Sequence, residues 1–206
     1  MAIENLRLLV LNPSRFMQHR VCDSPVWQPS TIILVTGLVS AIPGYLVLQY
    51  TRPGGGLSSS VFAIAQVVGI AVGVVSIAGI WVVVSAIIHG LSAYAGASDG
   101  TFRDTFKFVG WGFLPLSIAN AFGALATWMI LRSVPVSVSS AEIQSLLASS
   151  TLSTASLAVN IALTIWMCFI WHFGLVHVRN VDAKYAFSIA ALPFFVRLIS
   201  ALVRFI

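Results

Sequence analysis

The 206-residue chain is 58% hydrophobic and only 8% charged, with a mean hydropathy of +0.97, far from the roughly 25% charged residues of soluble domains. That composition excludes a soluble domain and places the chain in a membrane. Its net charge of +5 comes from eleven Lys and Arg, scattered singly, against six acids; this excludes a nucleic-acid-binding face and suits anchoring to anionic lipid headgroups.

Residues 1–30 form an amino-terminal segment expected to lie at the membrane interface. Leu6, Leu9 and Val10 share one helical face, and Asn12-Pro13 offers a cap followed by proline at the first helical position. Phe16, Met17 and Arg20 are then expected on the membrane surface. Arg7 is followed by only four apolar residues before Asn12, too few for the apolar core of a signal peptide, so no cleavable leader is expected. Cys22 and Cys168 have no metal-ligand spacing and are taken as free thiols.

From residue 31 onward the chain is expected to be an all-α bundle of five transmembrane helices, at about 31–50, 61–88, 108–131, 156–176 and 185–205. Charge-free windows support this: residues 24–51, 53–98, 108–131 and 143–178 carry no Asp, Glu, Lys or Arg. Each exceeds the roughly 20 residues that cross about 30 Å of hydrocarbon as a helix. With the amino terminus in the cytoplasm, seven basic residues (Arg7, Arg15, Arg20, Arg103, Lys107, Arg179, Lys184) fall inside, against Arg52 and Arg132 outside. The positive-inside rule therefore predicts a cell-membrane protein with its amino terminus in and its carboxyl terminus out.

The second span carries a small-residue ridge, Gly69 and Gly73 with Ala65, Ser76 and Gly79, which is expected to pack against another helix. After it comes the densest cluster of charge, Gly96 to Lys107, with four of the seventeen charged residues. Asp99-Gly100 predicts a turn, Thr101 a helix cap with Asp104 in the first turn, and Phe102, Phe106 and Phe113 one aromatic face. Arg103 and Lys107, four apart, are expected to meet inner-leaflet phosphates. Asp99, Gly100, Phe102, Arg103, Asp104, Phe106 and Lys107 are the candidate partner-binding surface. Gly110 and Gly112 are expected to allow close helix approach, and Pro115 and Pro193 to bend the third and fifth spans. The outer loop, 133–156, has eleven Ser or Thr in 24 residues, with a capping-box pattern at Ser139 to Glu142. Gly54-Gly55-Gly56 reads as a turn.

Polar groups inside the spans are expensive, and Arg197 is the most expensive, at roughly 2.5–3.5 kcal/mol on insertion scales. A snorkelling arginine and an anion pathway both fit it; Asn120, Gln66 and Asn160 suit interhelical hydrogen bonds. His89, His172 and His177 lie near the same ends of two spans and are weak candidates for a metal. The sequence has no nucleophile elbow, phosphate-binding glycine loop, HExxH or paired catalytic carboxylates. A non-enzymatic protein without a cofactor is expected.

Three stretches resemble the Yip-domain family, five-span membrane proteins named for interaction with Ypt/Rab GTPases, in its short prokaryotic branch. They are Leu11-Asn12-Pro13-Ser14-Arg15-Phe16, the run from Gly96 through Phe106 continued by Gly110-Trp111-Gly112-Phe113-Leu114-Pro115, and Lys184-Tyr185-Ala186 with Pro193. The resemblance implies a five-helix domain with its amino terminus in and carboxyl terminus out, and little chemistry. The short amino-terminal region lacks an acidic or aromatic recognition segment, which weighs against a small GTPase partner. Membrane organisation or binding of a membrane-protein partner, or of a second copy, is the leading expectation. A small-solute or ion permease using Arg197 and Asn120 is the alternative, and an intramembrane metal-dependent enzyme using the histidines the second.

Overall fold

The structure is a computed structural model that describes the backbone of residues 2–50, 59–134 and 138–203, and side chains for 4–50, 60–134 and 138–195. Gly54-Gly55-Gly56 and the side chain of Arg197 lie outside the described residues. The described elements are all helical: α1 (Ala2–Leu11), α2 (Pro13–His19), α3 (Trp27–Tyr50), α4 (Ser59–Tyr94), α5 (Phe102–Gly112), α6 (Leu114–Leu131), α7 (Ser140–Ser149), α8 (Thr151–Val178) and α9 (Ala183–Val203). Among the described residues, four stretches are long and apolar enough to cross a membrane: Trp27–Tyr50, Ser60–Tyr94, Phe102–Leu131 and Thr151–Val178. In α9, the fifth expected span, side chains are described only through residue 195.

The helix starts follow local chemistry. Asn12 Oδ1 accepts from Arg15 N–H at 3.0 Å, with Pro13 at the first position of α2. Reciprocal capping boxes start α5, through Thr101 and Asp104, and α7, through Ser139 and Glu142. Each satisfies backbone N–H groups that the first helical turn leaves without partners.

Two compact units emerge. The first comprises residues 1–33, 79–115 and 164–206, and the second 34–78 and 116–163. In the second, α3 and α4 meet through small residues. A Cβ added to Gly37 would lie 2.7 Å from Val74 Cα, and one on Gly73 would lie 3.2 Å from Ala41 Cβ. Such backbone approach replaces the hydrophobic drive that lipid does not supply. The ridge expected on α4 is thus split, because Gly69 and Gly79 face open space. Buried Thr36 and Ser117 join α3 to α6 by a hydroxyl contact of 2.5 Å.

The first unit is built around α5. Phe16 and Met17, expected on the membrane surface, are instead almost fully buried. Phe16 meets the edge of Trp111 at 5.0 Å. The amino-terminal helices are therefore packed against this unit, because an aromatic ring recovers more by filling a core than by lying at an interface.

Candidate functional site

The loop between α4 and α5 and the two turns of helix after it form the candidate site. The chain leaves α4 through Gly96 at φ 87° and enters the α5 cap through Gly100 at φ 74°, left-handed conformations that glycine adopts without strain. At Gly100 a side chain is also excluded by space, since a Cβ would sit 2.5 Å from the Val178 carbonyl oxygen. The loop is therefore pressed against the end of α8.

Arg179 holds it there. Expected as an ordinary loop charge, it is only 4% exposed. Its Nε donates to Ser92 Oγ at 3.1 Å, and its Nη1 donates to the carbonyls of Asp99, at 2.7 Å, and of Gly100. Burial lowers the guanidinium pKa from its ordinary value, opposed by Asp104 and Asp99, while hydroxyl and carbonyl dipoles solvate the cation in place of water. Next to it Asn180, at φ 51°, ends α8 and donates to Ser98 Oγ at 2.9 Å. Val181 N–H reaches back to Leu175 C=O at 3.1 Å. Loops 95–101 and 179–182 thus form one tied surface.

The residues expected to bind a partner separate into two groups. Lys107 does not reach for lipid phosphates: it is buried, and its Nζ donates to the Cys22 carbonyl at 2.5 Å. Phe106 is half-buried and stacked on Trp81 with ring centroids 3.7 Å apart. Asp104 is spent on the Thr101 cap. Phe113 belongs to no common face with Phe102 and Phe106, because α5 ends before it and its ring tilts against Trp171 at 6.0 Å. Asp99, Phe102 and Arg103 are exposed, with Phe102 edge-on to His89 at 5.5 Å.

The break after α5 has a clear cause. Pro115 has no N–H to give the Trp111 carbonyl four residues back, so a continuous helix would leave that group unpaired. Instead Phe113 N–H bonds Gly110 C=O at 3.1 Å, and α6 restarts with Pro115 in its first turn. Pro115, expected to bend the third span, thus lies just after a one-residue break within the stretch Phe102–Leu131. The shift frees the Val109 carbonyl, which Trp171 Nε1 fills at 3.0 Å. Gly112 and Gly110 leave room for the indoles. A Cβ on Gly112 would fall 2.0 Å from Trp171 Nε1, and one on Gly110 would fall 3.0 Å from the Trp81 ring and 2.7 Å from Pro29. Gly174, which sequence reasoning missed, makes the same concession to Phe108, 2.4 Å away. Pro193 lies inside α9, where it removes the bond to the Ile189 carbonyl.

The histidines meet hydroxyls or rings, with His172 and His177 both lying against Phe173. His89 Nδ1 meets Thr105 Oγ1 at 3.1 Å and His177 Nε2 meets Ser14 Oγ at 2.8 Å. His172 contacts Phe173 and Phe187. No group of three or more metal-ligating side chains occurs among the described residues. Asn120 is half-buried in α6.

A family profile described as Yip1 domain matches residues 7–205, nearly the whole chain. No curated protein and no solved structure matches it.

Proposed function

Because the chain belongs to the Yip1-domain family, a membrane family, we propose that it is a non-enzymatic multi-pass protein whose tied loop surface recognises a membrane-protein partner. The observation that carries this reading is the buried Arg179, which fixes loop 95–101 while Asp99, Phe102 and Arg103 stay outward. A rigid backbone presenting an exposed aromatic, a cation and an acid suits recognition, since little ordering entropy opposes binding. Tying down a loop at the cost of a buried cation is unnecessary for a mere connection.

Co-purification from native membranes tests it. The double change Phe102→Ser and Arg103→Glu leaves the cap, Lys107 and Arg179 intact, so the fold is expected to persist. Loss of a co-purifying protein at unchanged thermal stability is the expected result; an unchanged set of co-purifying proteins contradicts the reading.

In this proposal loops 20–26, 95–101 and 179–182 face the cytoplasm, following the seven-to-two distribution of basic residues. Cys22 reports on this without mutation, because it is exposed while Cys168 is buried. Partial desolvation, then the Asp104 carboxylate, raises its thiol pKa above the ordinary range, with Lys107 opposing. Less thiolate is present at neutral pH, so labelling is expected to be slow there and to quicken as pH rises past the usual thiol range. A membrane-impermeant maleimide is expected to label Cys22 only after the cytoplasmic side is opened. Labelling of intact cells contradicts the assigned orientation.

A further inference from the structure

The amino-terminal helices leave one face uncovered, and its chemistry identifies what meets it. On α1, Asn5 and Leu9, one turn apart, are buried against the first unit, while Glu4, Arg7, Val10 and Leu11 point away. Leu11 is 71% exposed, at the elbow where Asn12 separates α1 from α2. Large apolar side chains set outward beside basic ones characterise helices that lie in a membrane interface.

Two hydrogen bonds fix the height of this elbow. Asn5 Nδ2 donates to Gln28 Oε1 at 3.1 Å, tying α1 to the first turn of α3. Ser14 Oγ lies 2.8 Å from His177 Nε2, tying α2 to the last turn of α8. Both anchors are at ends of helices long and apolar enough to cross the membrane. The elbow between them is therefore held at the level where spans leave hydrocarbon. Exposed aromatics mark the same level: Trp27 and Tyr185 stand in the first turns of α3 and α9, as do the aromatic belts of membrane proteins. The Lys184 ammonium lies 4.7 Å from the Tyr185 ring centroid.

The charge of the face selects the lipid. Glu4 is engaged by Arg20 at 3.4 Å, so its acid is offset within the pair, whereas Arg7 and Arg15 flank the elbow as exposed cations. We infer that the α1–α2 elbow is a lipid-docking surface: Val10 and Leu11 enter the boundary between headgroups and acyl chains, and Arg7 and Arg15 meet anionic headgroup phosphates. A basic residue near such a surface contributes about 1 kcal/mol, roughly a fivefold preference for each arginine.

The test uses the full chain carrying Leu11→Cys and Cys22→Ser, labelled with bimane and reconstituted into phosphatidylcholine vesicles with or without phosphatidylglycerol. Leu11 is exposed, so the substitution does not disturb packing. Expected are a blue-shifted emission, quenching by lipids brominated near the carbonyl end of the acyl chain, and severalfold protection from aqueous iodide relative to the same label at Asp99→Cys. Adding Arg7→Gln and Arg15→Gln is expected to remove any gain from phosphatidylglycerol without changing thermal stability. Iodide access equal to that at position 99 overturns the inference. So does a label that brominated lipid never reaches but that native membranes shield, which assigns the face to a protein. Indifference to the arginine changes overturns the headgroup assignment.

Discussion

Replacing Gly112 by alanine is expected to leave the protein without a stable folded form in detergent. The added methyl would lie 2.0 Å from Trp171 Nε1, so the indole must leave. When it goes, its bond to the Val109 carbonyl goes with it. That carbonyl has already lost its helical partner to the break at Phe113, and it would be left buried and unpaired. Overpacking and the orphaned acceptor together cost roughly 3–5 kcal/mol, a large part of the 5–15 kcal/mol that holds most domains folded. Gly69→Ala is the control: nothing lies within 4 Å of the new methyl, and stability is expected to move by about 0.5–1 kcal/mol at most, in the favourable direction. Apparent unfolding temperatures of the two variants in one detergent provide the check. Equal temperatures would show that the close approach around α5 is not what holds the first unit.

Arg179→Met carries the second large effect. Methionine fills much of the same volume but donates nothing, so Ser92 Oγ and the carbonyls of Asp99 and Gly100 lose their donor together. Breaking a buried set of hydrogen bonds to a charged group is expected to cost about 3–5 kcal/mol. The loss is local first. Limited proteolysis is expected to cut between residues 96 and 101 in the variant while the native chain resists, and any partner bound through Arg103 is expected to be released. Arg179→Lys recovers little, because a single ammonium cannot span the three acceptors that the planar guanidinium reaches. Full resistance to cutting in Arg179→Met would mean the loop is held by Gly100 and Asn180 alone.

What the sequence made legible is what short-range chemistry decides. The Asn12-Pro13 start and the Thr101 and Ser139 caps join residues three apart, and each formed as expected. Charge-free windows located the apolar helices because the bilayer sets a minimum length, although α4 runs six residues past its expected end, to Tyr94. Contacts between distant residues were hidden. Lys107 meets a carbonyl 85 positions away, and Arg179 meets Ser92 across 87. In sequence both look like interface cations, since nothing local distinguishes an arginine that faces phosphate from one that faces backbone oxygen. Gly110 and Gly112 were legible as small residues, but the indoles that need their space were not. Pro115 marked an interruption of the third span, but not that the break falls at Phe113, whose N–H turns to the Gly110 carbonyl.

Whether Asp99, Phe102 and Arg103 form a recognition surface can be read by photo-crosslinking in living cells. A photoreactive amino acid at position 103, with the same group at Glu142 as the comparison, reports what touches each loop. A discrete protein adduct is expected from position 103, absent from position 142 and lost when Arg179→Met is added. Adducts to lipid alone at position 103, or the same protein adducts from both positions, would contradict it.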